Sequence, residues 1–293
     1  MAGEFQDLKG KRLMKKYIAG ILSLMLTSTL VWSGDIMLIT KQAEEQAAAE
    51  GESVTIPIKG EGDSDVSMEL IWCPPGTYTM GSPGSELGRG DDEAPCNVII
   101  TFCSGFWIGK YEVTQAQYKA VMGYNPSYFS GDDRPVEGVS WYDAMEFCAR
   151  LTEIERAAGR LPEGGKYTLP REVQWEYACR AGTTSALNSG KNLSGEWESS
   201  EMDESGWYCY NSGYMTHPVG QKKANNWGIH DMHGNVWEWC SNWHPDHEGS
   251  RRVIRGGNWN TLAYYCRSAR RSSIAPVNRR YYTGFRVIIP SVL

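Results

Sequence analysis

From Gly182 to Leu293 the chain keeps no apolar period long enough for an ordinary helix, and its short β-prone runs are broken repeatedly by Gly, Pro and Asn. A core built from such a segment has to come from bulky side chains on brief strands and loops. The chain supplies them, with 12 tryptophans in 293 residues, because an indole buries a large apolar area from a single position. In "GNVWEW", Val236 and Glu238 alternate with Trp237 and Trp239 at the period of a strand, so two indoles share one face and make a core wall. In "RGGNW", Gly256 and Gly257 let the backbone pass close to another strand, where a Cβ would intervene.

Upstream, three helices carry their own punctuation. "TQAQYKAVMG" has Thr114 and Gln117 three apart, a capping box, and ends at Gly123. "SWYDAMEFCARLTEIERAAG" starts at Ser140 with Asp143 in the third helical position. It sets Ala144, Phe147, Cys148 and Leu151 on one stripe and stops at Gly159. "LPREVQWEYACRAG" places Pro170 in the first turn and Gly182 as terminator. Before them, "MELIWCPPGTYTMGS" and "NVIITFCSGFWIGKYEVT" are β-prone runs that predict strands in hairpins. There is no internal repeat. The class is α+β, with two main amphipathic helices against small twisted antiparallel sheets and much loop.

The N-terminus has a different texture. Lys9, Lys11, Arg12, Lys15 and Lys16 precede the apolar run "YIAGILSLMLTSTLVW", the pattern of an export signal and short for a membrane span. Residues 1–34 are thus expected to be a signal peptide or an uncleaved anchor, 35–66 an acidic, Ala- and Gly-rich tether, and 67–293 the folded domain. No cysteine precedes Cys73, so thioether lipidation has no acceptor. The expected location is the cell surface or the medium, with membrane contact only through the N-terminal segment. Residues 1–34 hold five basic and two acidic side chains, so without them the formal charge falls by three from the −6 of the whole chain. That balance disfavours nucleic acid as a partner.

Charge is uneven. After Glu248 no acidic residue occurs, while Arg251, Arg252, Arg255, Arg267, Arg270, Arg271, Arg279, Arg280 and Arg286 follow. These guanidinia either attract acidic ligands or pair with carboxylates from elsewhere in the fold. The 8 cysteines include no CxxC, and Cys148, Cys179 and Cys240 stand in apolar contexts that suit buried free thiols. His230, His233, Cys240, His244 and His247 match no zinc spacing, and a structural role is expected for them.

Several long blocks occur in order: "WCPPGTYTMGS", "FWIGKYEVTQAQYKAVMG", "RPVEGVSWYDAMEFCARLT", "YTLPREVQWEYACRAGT", "HPVGQKKANNWGIHDMHGNVWEWCSNW" and "RVIRGGNW…CRSARR…GFRV". Together they resemble the formylglycine-generating-enzyme (sulfatase-modifying factor) family from about Met68 to Ile289, which implies a C-type-lectin-like fold. In the family's oxidase branch, copper is held by two cysteines five residues apart. The second of those positions is Cys266, and the first is Thr261. A hydroxyl is a poor ligand for copper(I), so neither copper nor oxidase activity is expected. Cys266 itself is either packed or a reactive thiol. The resemblance further implies a calcium ion held by Asp231, by the carbonyls of Gly234 and Val236, and by Glu238. Alternatively, Asp231 caps the turn and Glu238 pairs with an arginine.

The segment of about 255–287 interleaves two kinds of position. A scaffold set comprises Arg255, Gly256, Gly257, Trp259, Ala263, Cys266, Arg267, Ser268, Ala269, Pro276, Gly284, Phe285 and Arg286. Between them stand Asn258, Asn260, Thr261, Leu262, Tyr264, Tyr265, Arg270, Ser272, Ser273, Ile274, Ala275, Asn278, Arg280, Tyr281 and Tyr282. Every residue type in the second set is reached from the asparagine codon AAC by changing its first two bases. Lys, Glu, Gln, Met and Trp are not reachable that way, and those positions lack them. The segment therefore resembles the variable region of a diversity-generating retroelement. The resemblance implies a non-catalytic binding face for a protein or other macromolecular ligand, rich in the Tyr, Ser, Asn and Arg of evolved paratopes. The alternatives are a copper-dependent oxidase of the formylglycine-generating type or a related enzyme, a calcium-dependent sugar-binding lectin, and tyrosines that merely fill the fold.

Overall fold

The computed structural model describes residues 51–58, 66–93 and 98–290. The export segment, residues 1–34, lies outside the described residues. The expected tether does not run as far as residue 66, because Ser53–Ile58 forms strand β1 with Ile56 and Ile58 turned into the core. The signal was present in the alternation of "SVTIPI".

β1 pairs antiparallel with β2 (Val66–Cys73). β2 continues to β5 (Phe106–Gly109) and β5 to β12 (Ile288–Pro290), so the two ends of the described chain meet in one four-stranded sheet. β3 (Gly76–Met80) and β4 (Val98–Phe102) form a separate ladder. β6 (Gly206–Trp207) and β7 (His233–Gly234) form a short parallel one. The second four-stranded sheet has the order β10 (Arg271–Ile274), β9 (Arg252–Arg255), β8 (Trp237–Trp243) and β11 (Thr283–Gly284), with β11 parallel to β8.

The helices are α1 (Gln115–Met122), α2 (Trp141–Ala157), α3 (Glu172–Arg180) and the short α4 (Ser200–Ser205). Both expected capping boxes form. The Thr114 hydroxyl accepts the Gln117 N–H at 3.3 Å and the Gln117 side chain accepts the Thr114 N–H at 2.9 Å. The Ser140–Asp143 pair repeats this at 3.1 and 2.8 Å. Pro170 lies ahead of α3 rather than in its first turn. Arg171 stays extended as the N-cap, and the Gln174 side chain closes on its N–H at 2.9 Å.

Tyr118, Phe147, Trp237, Trp239 and Phe285 gather in the largest cluster of the core, with Tyr118 stacked on Phe147 at 5.6 Å. The first half of β8 is buried on both faces, and Ser241, Asn242 and Trp243 are half-buried. Trp237 and Trp239 join that cluster, while Val236 and Glu238 are equally enclosed. Among the described residues the cysteines are free thiols, and Cys148, Cys179 and Cys240 are buried as their contexts suggested.

Candidate ligand-binding surface

The interleaved segment starts on β9, turns at Gly256 and Gly257, passes a short 3₁₀ turn (Ala263–Cys266), returns as β10 and closes through β11. Gly257 has φ +77°, and a Cβ there would lie 2.5 Å from Cys266 Sγ and 3.0 Å from Cys266 Cα. At Gly257 the close approach is thus to the loop's own return at Cys266, whereas Gly256 does run beside a neighbouring strand, its carbonyl accepting the Gly234 N–H of β7 at 2.7 Å.

Every residue of the scaffold set is buried. Its arginines are fixed by carboxylates from distant parts of the chain. Arg255 pairs with Glu176 and donates to the carbonyls of Ala269 and Ser268 at 2.7 and 3.0 Å. Arg267 pairs with Glu93 and with Glu86 at 2.5 Å, and donates to Gly88 O at 2.6 Å. Arg286 forms a fork on Glu238 at 2.7 and 2.8 Å. Arg271 holds Glu172 at 2.7 Å, and Arg279 reaches Asp143 at 2.8 Å. Arg252 lies between the rings of Trp141 and Trp243, at 3.9 and 3.4 Å from their centroids. Most of the C-terminal basic excess is therefore internal bookkeeping, and Arg251 and Arg280 are the members left exposed without an acidic partner among the described residues.

The other set behaves differently. Asn260, Arg280 and Tyr281 are exposed, while Thr261, Leu262, Tyr264, Tyr265, Arg270, Ser272, Ser273, Ile274, Ala275, Asn278 and Tyr282 are half-buried. Asn258 departs from this pattern. It is only 3% exposed, and its side-chain oxygen accepts the Asn260 N–H at 2.6 Å, so it shapes the turn instead of presenting a side chain to solvent. Thr261 likewise turns its hydroxyl inward, donating to Asn258 O and accepting from Asn258 N, both at 2.9 Å. Tyr264 and Tyr265 are in ring contact at 4.2 Å, and the Arg270 guanidinium lies 5.1 Å from the Tyr265 centroid while also facing Asp92 at 3.4 Å. Tyr265, Ile274 and Tyr282 lean on the main core with part of their surface left open.

Sequence patterning missed aromatic neighbours that belong to other loops. Tyr128 is 76% exposed, Trp197 65% and Tyr214 69%. The Ala263 N–H donates to Trp197 O at 3.0 Å, which sets that loop directly beside the 3₁₀ turn. A large aromatic in a polar run such as "NPSYFSG" was the available signal.

Thr261 and Cys266, the positions of the family's copper cysteines, are brought together, with Thr261 Oγ1 3.6 Å from Cys266 Sγ. The donor set does not fit copper(I). One partner is a hydroxyl already committed to the Asn258 backbone, and burial pushes the Cys266 thiol up to about 12, so it stays protonated near neutral pH. His233 fixes the Cys266 backbone. Its Nε2 accepts the Asn188 N–H at 3.0 Å, which leaves Nδ1–H to donate to Cys266 O at 2.6 Å. Burial holds this imidazole down at about 4, so it is neutral. No group of three or more His, Cys, Asp or Glu side chains among the described residues is disposed to hold a metal.

At the positions where the resemblance implies calcium, Asp231 and Asn235 take positive φ and Gly234 lies between them in the same turn. Asp231 Oδ2 accepts the Gly220 N–H at 2.7 Å, while its buried Oδ1 has no hydrogen-bond partner. Both Glu238 oxygens are already engaged, by the Arg286 fork and by Trp175 Nε1 at 2.8 Å. Glu112 is a third buried carboxyl here and accepts the Val236 N–H at 3.1 Å. The donor chemistry is that of a hard cation at Asp231, but Glu238 could ligate one only by giving up part of its hold on Arg286.

Comparison with known proteins bears on the fold that carries this face. Residues 61–290 match the family described as the sulfatase-modifying factor enzyme 1-like domain. The chain is 38% identical over 245 residues to the chaperone protein LppX of Paenibacillus barcinonensis, covering 68% of this chain and 81% of that one. It is 25% identical to the formylglycine-generating enzyme of Mus musculus over 74% of each chain. Among solved structures it is similar to Treponema denticola variable protein 1, with a TM-score of 0.67, 28% identity, and coverage of 82% of this chain and 99% of that one. On the fold, the collinear motifs and this match together, the chain belongs to the sulfatase-modifying factor enzyme 1-like family.

Proposed function

We propose that this chain is an exported, non-catalytic binding protein whose ligand contacts come from the exchangeable positions of the 255–287 segment. The observation that carries the reading is the sorting of that segment by burial: its scaffold positions are all enclosed, and its exchangeable positions, Asn258 apart, all reach solvent. Substitution at such positions costs little stability, so sequence there is free to follow a ligand. The hydroxyl in place of the family's first copper cysteine argues against oxidase chemistry on the same frame. Similarity to a variable protein and to a chaperone favours contact with another macromolecule over turnover of a small substrate.

We also propose calcium as a structural ion of the Asp231, Gly234, Val236 and Glu238 turn, where it would satisfy the unpartnered Asp231 oxygen. Sequencing of the encoding locus tests the binding reading. A reverse-transcriptase gene beside a near-copy of this segment, differing only where the copy has adenine, is the expected result. A locus without such a copy would count for the enzyme.

A further inference from the structure

Four rings close a circuit at one edge of the exchangeable segment. Tyr128 meets Phe129 edge-on at 4.9 Å, and Phe129 meets Trp259 edge-on at 5.3 Å. Trp259 meets Tyr281 at 5.9 Å, and Tyr281 returns to Tyr128 at 5.9 Å. Trp259 is 5% exposed and makes the floor, whereas Tyr128 and Tyr281 stand open at the rim. The floor is scaffold, one rim ring is exchangeable, and the other two rings come from a loop outside the segment.

Glu137, which is fully buried, adjoins the backbone of Phe129, one of the four rings. Its Oε1 accepts the Phe129 N–H at 2.8 Å, and the next residue, Gly138, donates to Arg280 O at 3.0 Å. The carboxyl is thereby fixed between the two loops that carry the rim tyrosines. Its other oxygen, Oε2, is buried with no hydrogen-bond partner. A buried acceptor without a donor is costly, and aromatic faces attract cations through their quadrupole. A cation arriving at the rings would favour the ionised form of this carboxyl, so carboxyl and ring faces together complement one chemistry, a positive charge on a greasy carrier, and the acidic balance of the chain points the same way.

We propose that the cup of Tyr128, Phe129, Trp259 and Tyr281, adjoined by Glu137, binds an alkylammonium group, such as a lysine side chain or a quaternary ammonium head. This rests on the binding function above and names the chemistry that one corner of the face selects. Arg280 adjoins the cup as an exposed cation and works against such a ligand.

The test is titration of the full chain, followed by NMR or calorimetry, with choline, with N-acetyl-lysine methylamide, and with 3,3-dimethyl-1-butanol, which keeps the shape of choline without its charge. Choline is expected to bind at least about tenfold more tightly than the neutral isostere, with loss of about tenfold in Tyr128→Leu and in Tyr281→Leu. Both tyrosines are exposed at the rim, so these variants should fold. Glu137→Gln should narrow the preference for charge, and Arg280→Ala should widen it. Relative affinity for the lysine derivative decides between a side chain and a free quaternary ammonium as the source. Equal binding of choline and its isostere, absence of choline binding, or indifference to both tyrosine variants would overturn the cup. The binding function itself would fail separately, on the locus.

Discussion

Arg267 and Arg280 lie thirteen positions apart in one segment, carry the same charge, and do opposite things. Arg267 is fully buried and joined to Glu86, Glu93 and the carbonyls of Gly88 and Tyr264. Arg280 is exposed, with no acidic partner among the described residues. One ties the segment to a loop more than 170 residues earlier, and the other is available to whatever arrives from solvent. Residue type alone therefore says little here; the enclosure of each position decides whether its side chain serves the frame or the face.

The contrast can be broken most severely at the frame. Arg267→Ala leaves the buried carboxylates of Glu86 and Glu93 without their cation, and we expect a loss of about 3–5 kcal/mol in denaturant unfolding. Gly257→Ala sets a Cβ against Cys266 at a left-handed φ, with an expected loss of roughly 2 kcal/mol or more. A smaller effect is predicted at the carboxyl beside the aromatic cup. Burial raises Glu137 from 4.5 to about 7, partly offset by the Phe129 and Tyr128 amides. Between those values the folded chain holds a proton that the unfolded chain has released, so this group's contribution is full below pH 4.5 and is lost as pH rises through 7. Glu137→Gln should flatten that part of the pH–stability curve; an unchanged slope would mean that the carboxyl is not enclosed as described. At the face, Tyr281→Ala and Arg280→Ala should each stay within about 0.5 kcal/mol of the parent by the same unfolding measurement.

The sequence made the frame legible because its devices are local. Capping boxes at Thr114 and Ser140, indoles two apart on β8 and paired glycines before Trp259 each state their geometry within a few residues. Pro170 suits a first turn as well as an extended approach, so sequence alone starts α3 too early, and the Gln174 cap decides between the two. β1 was hidden by the acidic, Ala-rich run before it, although its two inward isoleucines alternate properly. Residue type puts Asn258 on the face, whereas its role depends on the turn that encloses it. Glu112, Tyr128 and Glu137 could not be located from sequence at all. Glu112 and Tyr128 meet segments about 120–150 residues away, and Glu137 is held beside the Arg280 loop by the Gly138 amide; such pairings exist only once the chain has folded.

The central claim is that enclosure divides the 255–287 segment into a fixed frame and an exchangeable face. A scan placing every amino acid at each of these positions, with the folded fraction read by protease resistance, measures it directly. The account predicts broad tolerance at Asn260, Leu262, Tyr264, Ser272, Arg280 and Tyr281, and collapse at Arg255, Gly257, Cys266, Arg267 and Arg286. Equal sensitivity along the whole segment, or unfolding on substitution of Tyr281 or Arg280, would contradict it.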